Sequence, residues 1–389
     1  MSLQPSFLKS DYICQLYLQH LYTQKTFTQK YKFDLIINLN LVNQFCIYFV
    51  VSYIKGVIMM VKKTKSNTLK KAATLALANL LLIGALTDNS AKAESKKDDT
   101  GLKLVSHNVY MLSTVLYPNW GQYKRADLIG QSSYIKNNDV VIFNEAFDNG
   151  ASDKLLSNVK KEYPYQTPVL GRSQSGWDKT EGSYSSTVAE DGGVAIVSKY
   201  PIKEKIQHVF KSGCGFDNDS NKGFVYTKIE KNGKNVHVIG THTQSEDSRC
   251  GAGHDRKIRA EQMKEISDFV KKKNIPKDET VYIGGDLNVN KGTEEFKDML
   301  KNLNVNDVLY AGHNSTWDPQ SNSIAKYNYP NGKPEHLDYI FTDKDHKQPK
   351  QLVNEVVTEK PKPWDVYAFP YYYVYNDFSD HYPIKAYSK

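Results

Sequence analysis

Apolar runs about the length of β-strands recur along the chain from residue 102 to its end. Some alternate with polar positions and others are continuous, which is typical of half-buried and fully buried strands respectively. The runs predict strands at 102–112, 140–147, 193–199, 223–230, 235–241, 280–288, 337–342, 352–358 and 382–386. Asn232-Gly233, between two of these runs, predicts a two-residue hairpin turn with positive φ at both positions.

Helical periodicity separates the predicted strands in four places, at 125–135, 151–162, 255–273 and 292–303. One face of the third segment is apolar through Ile258, Met263, Ile266 and Val270. Thr293 is the predicted N-cap of the fourth segment. Hairpins mixed with crossover helices predict an α+β (mixed α/β) fold with two sheets and helices on the outside.

The segment 60–93 has the three parts of a secretory signal peptide. Five lysines precede an apolar run at 72–86, and Ala91-Lys92-Ala93 predicts cleavage after Ala93. A helix that anchors the chain is the alternative, but the run is short of the ~20 residues that span a bilayer. Residues 1–59 resemble no domain, and we interpret them as a start-site extension, with a membrane anchor as the alternative.

The formal charge of +8 at first favours a nucleic-acid partner. However, residues 1–93 carry 11 lysines and three aspartates, which accounts for the whole excess. Residues 94–389, which we predict to form a single domain, are electrically balanced. Phosphate contacts supply much of the affinity for nucleic acid, so this balance disfavours nucleic acid as the main substrate.

Cys214 and Cys250 are the only cysteines after the predicted cleavage site. Outside the cytosol such a pair predicts one disulfide bond, and two free thiols are the alternative.

Polar and acidic residues interrupt or close the apolar runs in a repeating way. They are Asn108, Glu145, His242, Asp286 with Asn288, and Asp380-His381. A carboxylate at such a place is costly to bury unless it is paired or binds a metal ion. Functional groups held over a rigid sheet are a common way to build a site.

The motifs N-V-Y, F-N-E, G-T-H, G-D-L-N, L-D-Y-I and S-D-H follow one another between residues 102 and 384. In this order they resemble the endonuclease/exonuclease/phosphatase superfamily, which has the DNase I-like fold. The stretches F-N-E-A-F-D (143–148), D-G-G-V-A-I-V-S (191–198), T-H-T-Q (241–244) and S-D-H-Y-P (379–383) resemble the secreted bacterial neutral sphingomyelinases. The resemblance implies a four-layer α/β/β/α sandwich and Mg²⁺-dependent hydrolysis of a phosphodiester.

The resemblance also implies a sparse metal site. Glu145 and Asn108 offer a carboxylate and an amide oxygen, which suit the hard Mg²⁺ ion. Asp380 is expected close to the metal ion, either as a ligand through water or as an orienting group. Mn²⁺ and Co²⁺ remain alternatives to Mg²⁺, because the sequence does not give the ligand geometry.

A water nucleophile needs a base with a pKa near neutral, and His381 is the candidate. The family pattern implies that Asp338 holds the ring of His381. It further implies that Asp286 and Asn288 position the water and the phosphate. His242 would bind the phosphate and stabilise its developing charge, and it could also protonate the leaving alkoxide.

Residues 361–378 are dense in aromatic side chains and contain three prolines, which predicts a protruding hairpin. Exposed aromatic rings favour the membrane interface. We expect membrane contact through Trp364, Tyr367, Phe369, Tyr371, Tyr372 and Tyr373. The alternative is an aromatic hairpin that packs in the core.

Together these features predict a secreted, Mg²⁺-dependent sphingomyelin phosphodiesterase. It would release phosphocholine from sphingomyelin in host membranes and leave ceramide behind. The resemblance implies that loss of the headgroup would make it a haemolytic toxin. The alternatives are a secreted nuclease of the same fold and a membrane-lytic protein without catalysis. Nothing in the sequence indicates a protein partner.

Overall fold

Two large β-sheets form the centre of the structure, a computed structural model that describes residues 101–389. The first contains β1 (Leu104–Asn108), β2 (Val140–Asn144), β3 (Tyr165–Gln166), β5 (Ala195–Ser198), β10 (Leu309–Gly312), β12 (Leu352–Val356) and β15 (Ile384–Ser388), in the order β10-β12-β15-β1-β2-β5-β3. The second contains β4 (Lys179–Gly182), β6 (Ile202–Val209), β7 (Gly223–Lys231), β8 (Lys234–His242), β9 (Thr280–Asp286) and β11 (Asp338–Thr342), in the order β11-β9-β8-β7-β6-β4. The leader segments predicted at 1–59 and 60–93 lie outside the described residues.

Three apolar clusters divide the structure into layers. Side chains of both sheets, including Ile142 and Val238, form one cluster between them. The outer face of the first sheet packs against α1 (Gln122–Gln131) and α2 (Asn149–Val159). The outer face of the second packs against α3 (His254–Lys273) and α4 (Glu294–Leu303). The predicted four-layer α/β/β/α arrangement is therefore confirmed.

Local signals in the sequence account for most element boundaries. All nine predicted strands and all four predicted helices are present, with ends shifted by a few residues. The pairing of β7 with β8 ends at Lys231 and Lys234, and both turn residues between them have positive φ, as predicted. Thr293 caps α4 by accepting a hydrogen bond from the Phe296 amide at 3.2 Å.

Among the strands and α-helices of the described residues, five were not predicted: β3, β4, β6, β10 and the short helix α5 (Ser323–Asn328). β4 is entirely polar or glycine, and β6 carries charged residues in its first half. Neither pattern distinguishes a strand from a loop. These segments form strands because they pair with neighbouring strands, which the sequence pattern does not show. In the described part of the chain, no helix has both the length and the apolarity to cross a bilayer.

The strand directions bring polar ends together. β1 and β2 are parallel and reach Asn108 and Asn144 in register, while β8 and β9 are parallel and end with His242 opposite Asp286. β11 runs antiparallel to β9 and places Asp338 opposite Asp286. The two sheets therefore present their functional residues at one end of the sandwich.

Candidate active site

Asn108 links the two sheets at this end of the sandwich. Its side-chain amide donates to Glu145 Oε1 at 2.8 Å and to Asp286 Oδ2 at 2.9 Å. Its Oδ1 accepts a hydrogen bond from the Tyr110 amide at 3.1 Å. The structure thus brings three sequence-predicted residues together, with two carboxylates converging on one amide group.

The backbone around Glu145 is held in an unusual conformation. In the described residues, seven non-glycine residues have positive φ, and five of these are asparagine. The other two are Tyr110 (φ 48°) and Glu145 (φ 54°), both at this end of the sandwich. Such backbone costs about 1–2 kcal/mol for a residue with a Cβ. Main-chain hydrogen bonds from Met111 to Glu145 and from Ala146 to Gly193 hold the turn in place.

The charge around Glu145 suits a divalent cation. Burial, and then the negative charge of Asp380, raises the pKa of Glu145 to about 7. Glu145 Oε1, His242 Nε2 and Asp286 Oδ2 form a group whose ligand atoms all lie within 4.8 Å of one another. Crowded carboxylate oxygens are the ligands that Mg²⁺ prefers, and its charge would offset their repulsion. Glu145 and Asp286 therefore fit the predicted ion as oxygen ligands, although the sequence assigned Asp286 to positioning the water and the phosphate. Asn108 instead directs its NH₂ group, which cannot bind a cation, at both carboxylates.

Asp380 is close to this group but outside it. Its Oδ1 accepts a hydrogen bond from Ser379 Oγ at 3.2 Å, and Ser379 Oγ also donates to the Asn108 carbonyl at 2.6 Å. Burial raises the pKa of Asp380, although the charge of His381 opposes the rise. Asp380 belongs to neither group of side chains that could hold a metal ion. Its contacts favour the orienting role of the two that the sequence left open.

His381 and Asp338 form a buried pair. His381 Nδ1 lies 2.8 Å from Asp338 Oδ2, and His381 Nε2 lies 3.8 Å from Asp286 Oδ2. Burial alone would lower the pKa of His381, but the charges of Asp338, Asp286 and Asp380 raise it well above its usual range. Burial raises the pKa of Asp338 to about 6. This geometry is the one that the sequence predicts for a base and the carboxylate that orients it.

His242 has the opposite electrostatic environment. Lys222 Nζ lies 3.3 Å from His242 Nε2 and donates to the Thr243 carbonyl at 3.2 Å. Burial, followed by the charge of Lys222, lowers the pKa of His242 to about 3. The ring is therefore neutral at physiological pH. A neutral ring can still donate one N–H group to the phosphate, but its low pKa disfavours the predicted protonation of the leaving alkoxide.

Asn288 is placed by a turn directly after β9. Its backbone amide donates to Asp286 Oδ1 at 3.0 Å, and its side-chain amide donates to the Thr243 carbonyl at 3.1 Å. The side chain is half-buried at the edge of the site. In this arrangement Asn288 fixes the orientation of Asp286 and lies beside the segment that follows His242.

The disulfide bond joins two loops, one before β7 and the other after β8. Cys214 and Cys250 are bonded, with their Cα atoms 5.3 Å apart. Gln244 connects to the same region by accepting the Cys214 amide at 2.9 Å. The bond therefore ties together the chain that precedes β7 and the chain that follows β8, which carry Lys222 and His242.

The predicted aromatic hairpin is a separate two-stranded sheet of β13 (Trp364–Ala368) and β14 (Tyr371–Tyr375). Its exposed side chains include Tyr367, Phe369, Tyr371 and Tyr372, with relative exposures of 53%, 87%, 65% and 70%. The prediction for Trp364 is corrected, because this residue is 4% exposed. Its indole packs with Trp120, Ile324 and Tyr375 and donates to the Asp377 carbonyl at 3.1 Å.

Tyr373 is half-buried, with its ring 5.6 Å from that of Tyr327. The hairpin thus has an apolar base inside the protein and an aromatic tip in solvent.

Sequence reasoning missed several residues of the site. Lys222 carried no motif, although a lysine beside a predicted buried strand was a usable signal. Arg125 is fully buried and donates to the carbonyls of Trp120 at 2.8 Å and Phe378 at 3.3 Å, as well as to those of Val109 and Tyr110. It supports the turn that leads from Asn108, and nothing in its own sequence context indicates that task.

Comparison with known proteins decides the family. The model of the endonuclease/exonuclease/phosphatase family matches residues 105–381. The chain belongs to this family. The resemblance read from the six motifs is therefore confirmed, and so is the fold that it implied.

Individual members of the family are similar over most of the chain. Phospholipase C of Staphylococcus aureus is 98% identical over 330 residues, which is 85% of this chain and 100% of that protein. Sphingomyelinase C of Bacillus cereus is 58% identical over 314 residues, 78% of this chain and 94% of that protein. A crystal structure of a beta toxin double mutant from S. aureus with bound magnesium ions superposes with a TM-score of 0.74 and 99% identity, covering 74% of this chain and 100% of that one.

Proposed function

We propose that this chain is a secreted, Mg²⁺-dependent sphingomyelin phosphodiesterase that releases phosphocholine and leaves ceramide in the membrane. The observation that carries the proposal is the arrangement around Asp286, where a carboxylate group fit for a metal ion adjoins the His381–Asp338 pair. The names of the relatives, phospholipase C and sphingomyelinase C, support the same substrate class.

The side chains divide the hydrolysis between them. His381 Nε2 takes a proton from the attacking water, and Asp338 holds the opposite ring nitrogen and stabilises the positive ring. Glu145 and Asp286 would hold Mg²⁺, which would supply neutralisation of the phosphate charge and stabilisation of the leaving oxygen, and the amide group of Asn108 orients both carboxylates. The positive charge of the ion would also lower the raised pKa of His381 toward the working range. Neutral His242 contacts the phosphate, and Asn288 and Asp380 orient the groups beside it.

The deciding experiment assays residues 94–389 on sphingomyelin vesicles and on supercoiled DNA in parallel. We expect EDTA to stop phosphocholine release and added Mg²⁺ to restore it. His381→Ala should lower the rate of release by about 10³-fold or more. Restoration with Mn²⁺ or Co²⁺ in separate samples measures the metal preference. DNA nicking without phosphocholine release would assign a nuclease instead. Lysis that persists in His381→Ala would assign a non-catalytic lytic protein.

The hairpin tip supports contact with the target membrane. Tyr367, Phe369, Tyr371 and Tyr372 place aromatic surface in solvent, which is a liability for a monomer unless a partner surface covers it. Aromatic side chains of this kind partition to the bilayer interface. The hairpin is followed directly by Asp380 and His381, so contact there brings the membrane near the site.

We predict that Phe369→Ser with Tyr372→Ser lowers the rate on sphingomyelin vesicles by about 10- to 100-fold, because two interfacial aromatic anchors are lost. Hydrolysis of soluble p-nitrophenyl phosphorylcholine should stay within about twofold of the unsubstituted protein, since the two exposed side chains take part in none of the contacts described for the catalytic groups. Tyr165→Ser, a partly exposed tyrosine on β3, is the matched control. Equal losses on both substrates would exclude a membrane role for the tip.

The leader forms part of the same proposal. Residues 60–93 direct secretion, and residues 1–59 are an extension upstream of the working start site. The match to the S. aureus relative spans that whole protein and leaves 59 residues of this chain without a counterpart. Mass spectrometry of the secreted product should give Glu94 as its first residue. Retention of the chain on the cell membrane would instead favour an anchor.

A further inference from the structure

A short ladder beside the catalytic pair places an aromatic residue next to His381. Trp317 forms antiparallel bridges with Glu335 on one side and with His381 on the other. Trp317 and Glu335 exchange two main-chain hydrogen bonds, of 3.0 and 2.8 Å. Residues that pair directly in an antiparallel bridge project their side chains to the same face. Glu335, Trp317 and His381 therefore share one face, with the indole in the middle.

A second ring makes a corner with this indole. The ring centroids of Trp317 and Tyr329 are 5.3 Å apart and their planes meet at 69°. Tyr329 is 57% exposed and Trp317 is half-buried, so both rings border solvent. The two rings therefore form an aromatic corner, and the bridge between Trp317 and His381 places this corner beside the proposed base.

The same place is rich in negative charge. Burial, and then the charge of Glu246, raises the pKa of Glu335, while the charge of His381 lowers it. Glu335 is half-buried next to the aromatic corner, and Glu246 is exposed on the segment after β8. A cation bound between these groups would relieve the repulsion between the two carboxylates.

We propose that Trp317, Tyr329 and Glu335 bind the quaternary ammonium group of the substrate beside the phosphate. This proposal rests on the proposed function. A quaternary ammonium has no hydrogen to donate, so proteins recognise it with aromatic faces and nearby negative charge. In phosphocholine only two carbon atoms separate the nitrogen from the ester oxygen. The ammonium must therefore lie close to the groups that contact the phosphate, and the ladder puts Trp317 directly next to His381.

The test compares two soluble phosphodiesters that differ in the ammonium group. In Trp317→Ala and Glu335→Gln, KM for p-nitrophenyl phosphorylcholine should rise about tenfold with kcat within about twofold. Hydrolysis of bis(p-nitrophenyl) phosphate should be unchanged in both. Trp317→Phe and Tyr329→Phe keep a ring and should keep most of the affinity, whereas Tyr329→Ala should not. Glu294→Gln, an exposed glutamate on α4, is the control.

Equal losses on both diesters would overturn the proposal, because Trp317 would then only position His381. Calorimetry with phosphocholine and with inorganic phosphate separates this subsite from the catalytic function. Trp317→Ala should weaken phosphocholine binding about tenfold and leave phosphate binding unchanged. A protein that hydrolyses sphingomyelin but binds both probes equally lacks the subsite. One that binds phosphocholine through Trp317 without hydrolysis has the subsite but not the proposed activity.

Discussion

His242 and His381 lie on two sides of Asp286, and each has its Nε2 atom 3.8 Å from Asp286 Oδ2. Both rings are buried, yet their pKa values are displaced in opposite directions. The ammonium of Lys222 lies next to His242, whereas the carboxylates of Asp338 and Asp380 act on His381. The carboxylate they share therefore does not decide their roles; the second neighbour of each ring does.

The largest effect should come from removing the carboxylate of Asp338, which holds the ring of His381. Asp338→Asn is expected to lower kcat/KM for phosphocholine release by about 10²- to 10⁴-fold. The pKa of His381 should fall, because burial persists while one negative charge is lost. Rate profiles over pH, with NMR titration of the ring, measure both changes.

The chain contains a matched control for this variant. His346 Nδ1 lies 2.6 Å from Asp343 Oδ1 in a second buried pair. Asp343→Asn should lower the free energy of unfolding without changing kcat/KM. If Asp338→Asn also lowered only the free energy of unfolding and left kcat/KM unchanged, Asp338 would have a purely structural role. The different pKa values of His242 and His381 would then not explain catalysis.

A smaller effect is expected from a substitution next to His242. Lys222→Met removes the positive charge next to His242, so the pKa of His242 should rise from about 3 toward its ordinary value. Activity near neutral pH should fall about tenfold, because phosphate then meets a repositioned ring without the adjacent ammonium. NMR of the ring carbons reports the titration. A pKa that does not move would mean that burial alone keeps His242 neutral.

The smallest effect concerns the metal ion. With a pKa raised to about 7, Glu145 carries a proton below that pH, and the proton competes with a cation for the carboxylate. The Mg²⁺ concentration for half-maximal rate should therefore rise up to about tenfold between pH 7 and pH 6, and change little between pH 8 and pH 9. Equal half-saturation at pH 6 and pH 8 would remove Glu145 from the metal site.

Much of this arrangement could be predicted from the sequence, for a definable reason. Residues such as Asn108, Glu145 and Asp286 end runs of buried apolar positions, and parallel strands bring such ends to one edge. The His381–Asp338 pair came from the family pattern, since the two residues are 43 positions apart and no local signal joins them.

The parts that escaped prediction depend on tertiary contacts. Trp364 lies in a run of exposed aromatic residues, and only its packing against Trp120 and Tyr375 sets it apart. Lys222 is 5% exposed because Asp217 pairs with it at 2.8 Å, a partner that no periodicity could suggest. The corner of Trp317 and Tyr329 likewise exists only once the ladder beside His381 has formed.

The left-handed backbone at Glu145 has a consequence for engineering. Glu145 has an unfavourable φ, and burial disfavours its ionised carboxylate. Both features lower the stability of the native state. Asparagine occupies five of the seven comparable positions because it tolerates this conformation better. A Glu145→Asn protein would therefore trade activity for thermal resistance. Such an inactive but more stable variant would keep nearly the native surface, and it could therefore be studied bound to intact sphingomyelin vesicles.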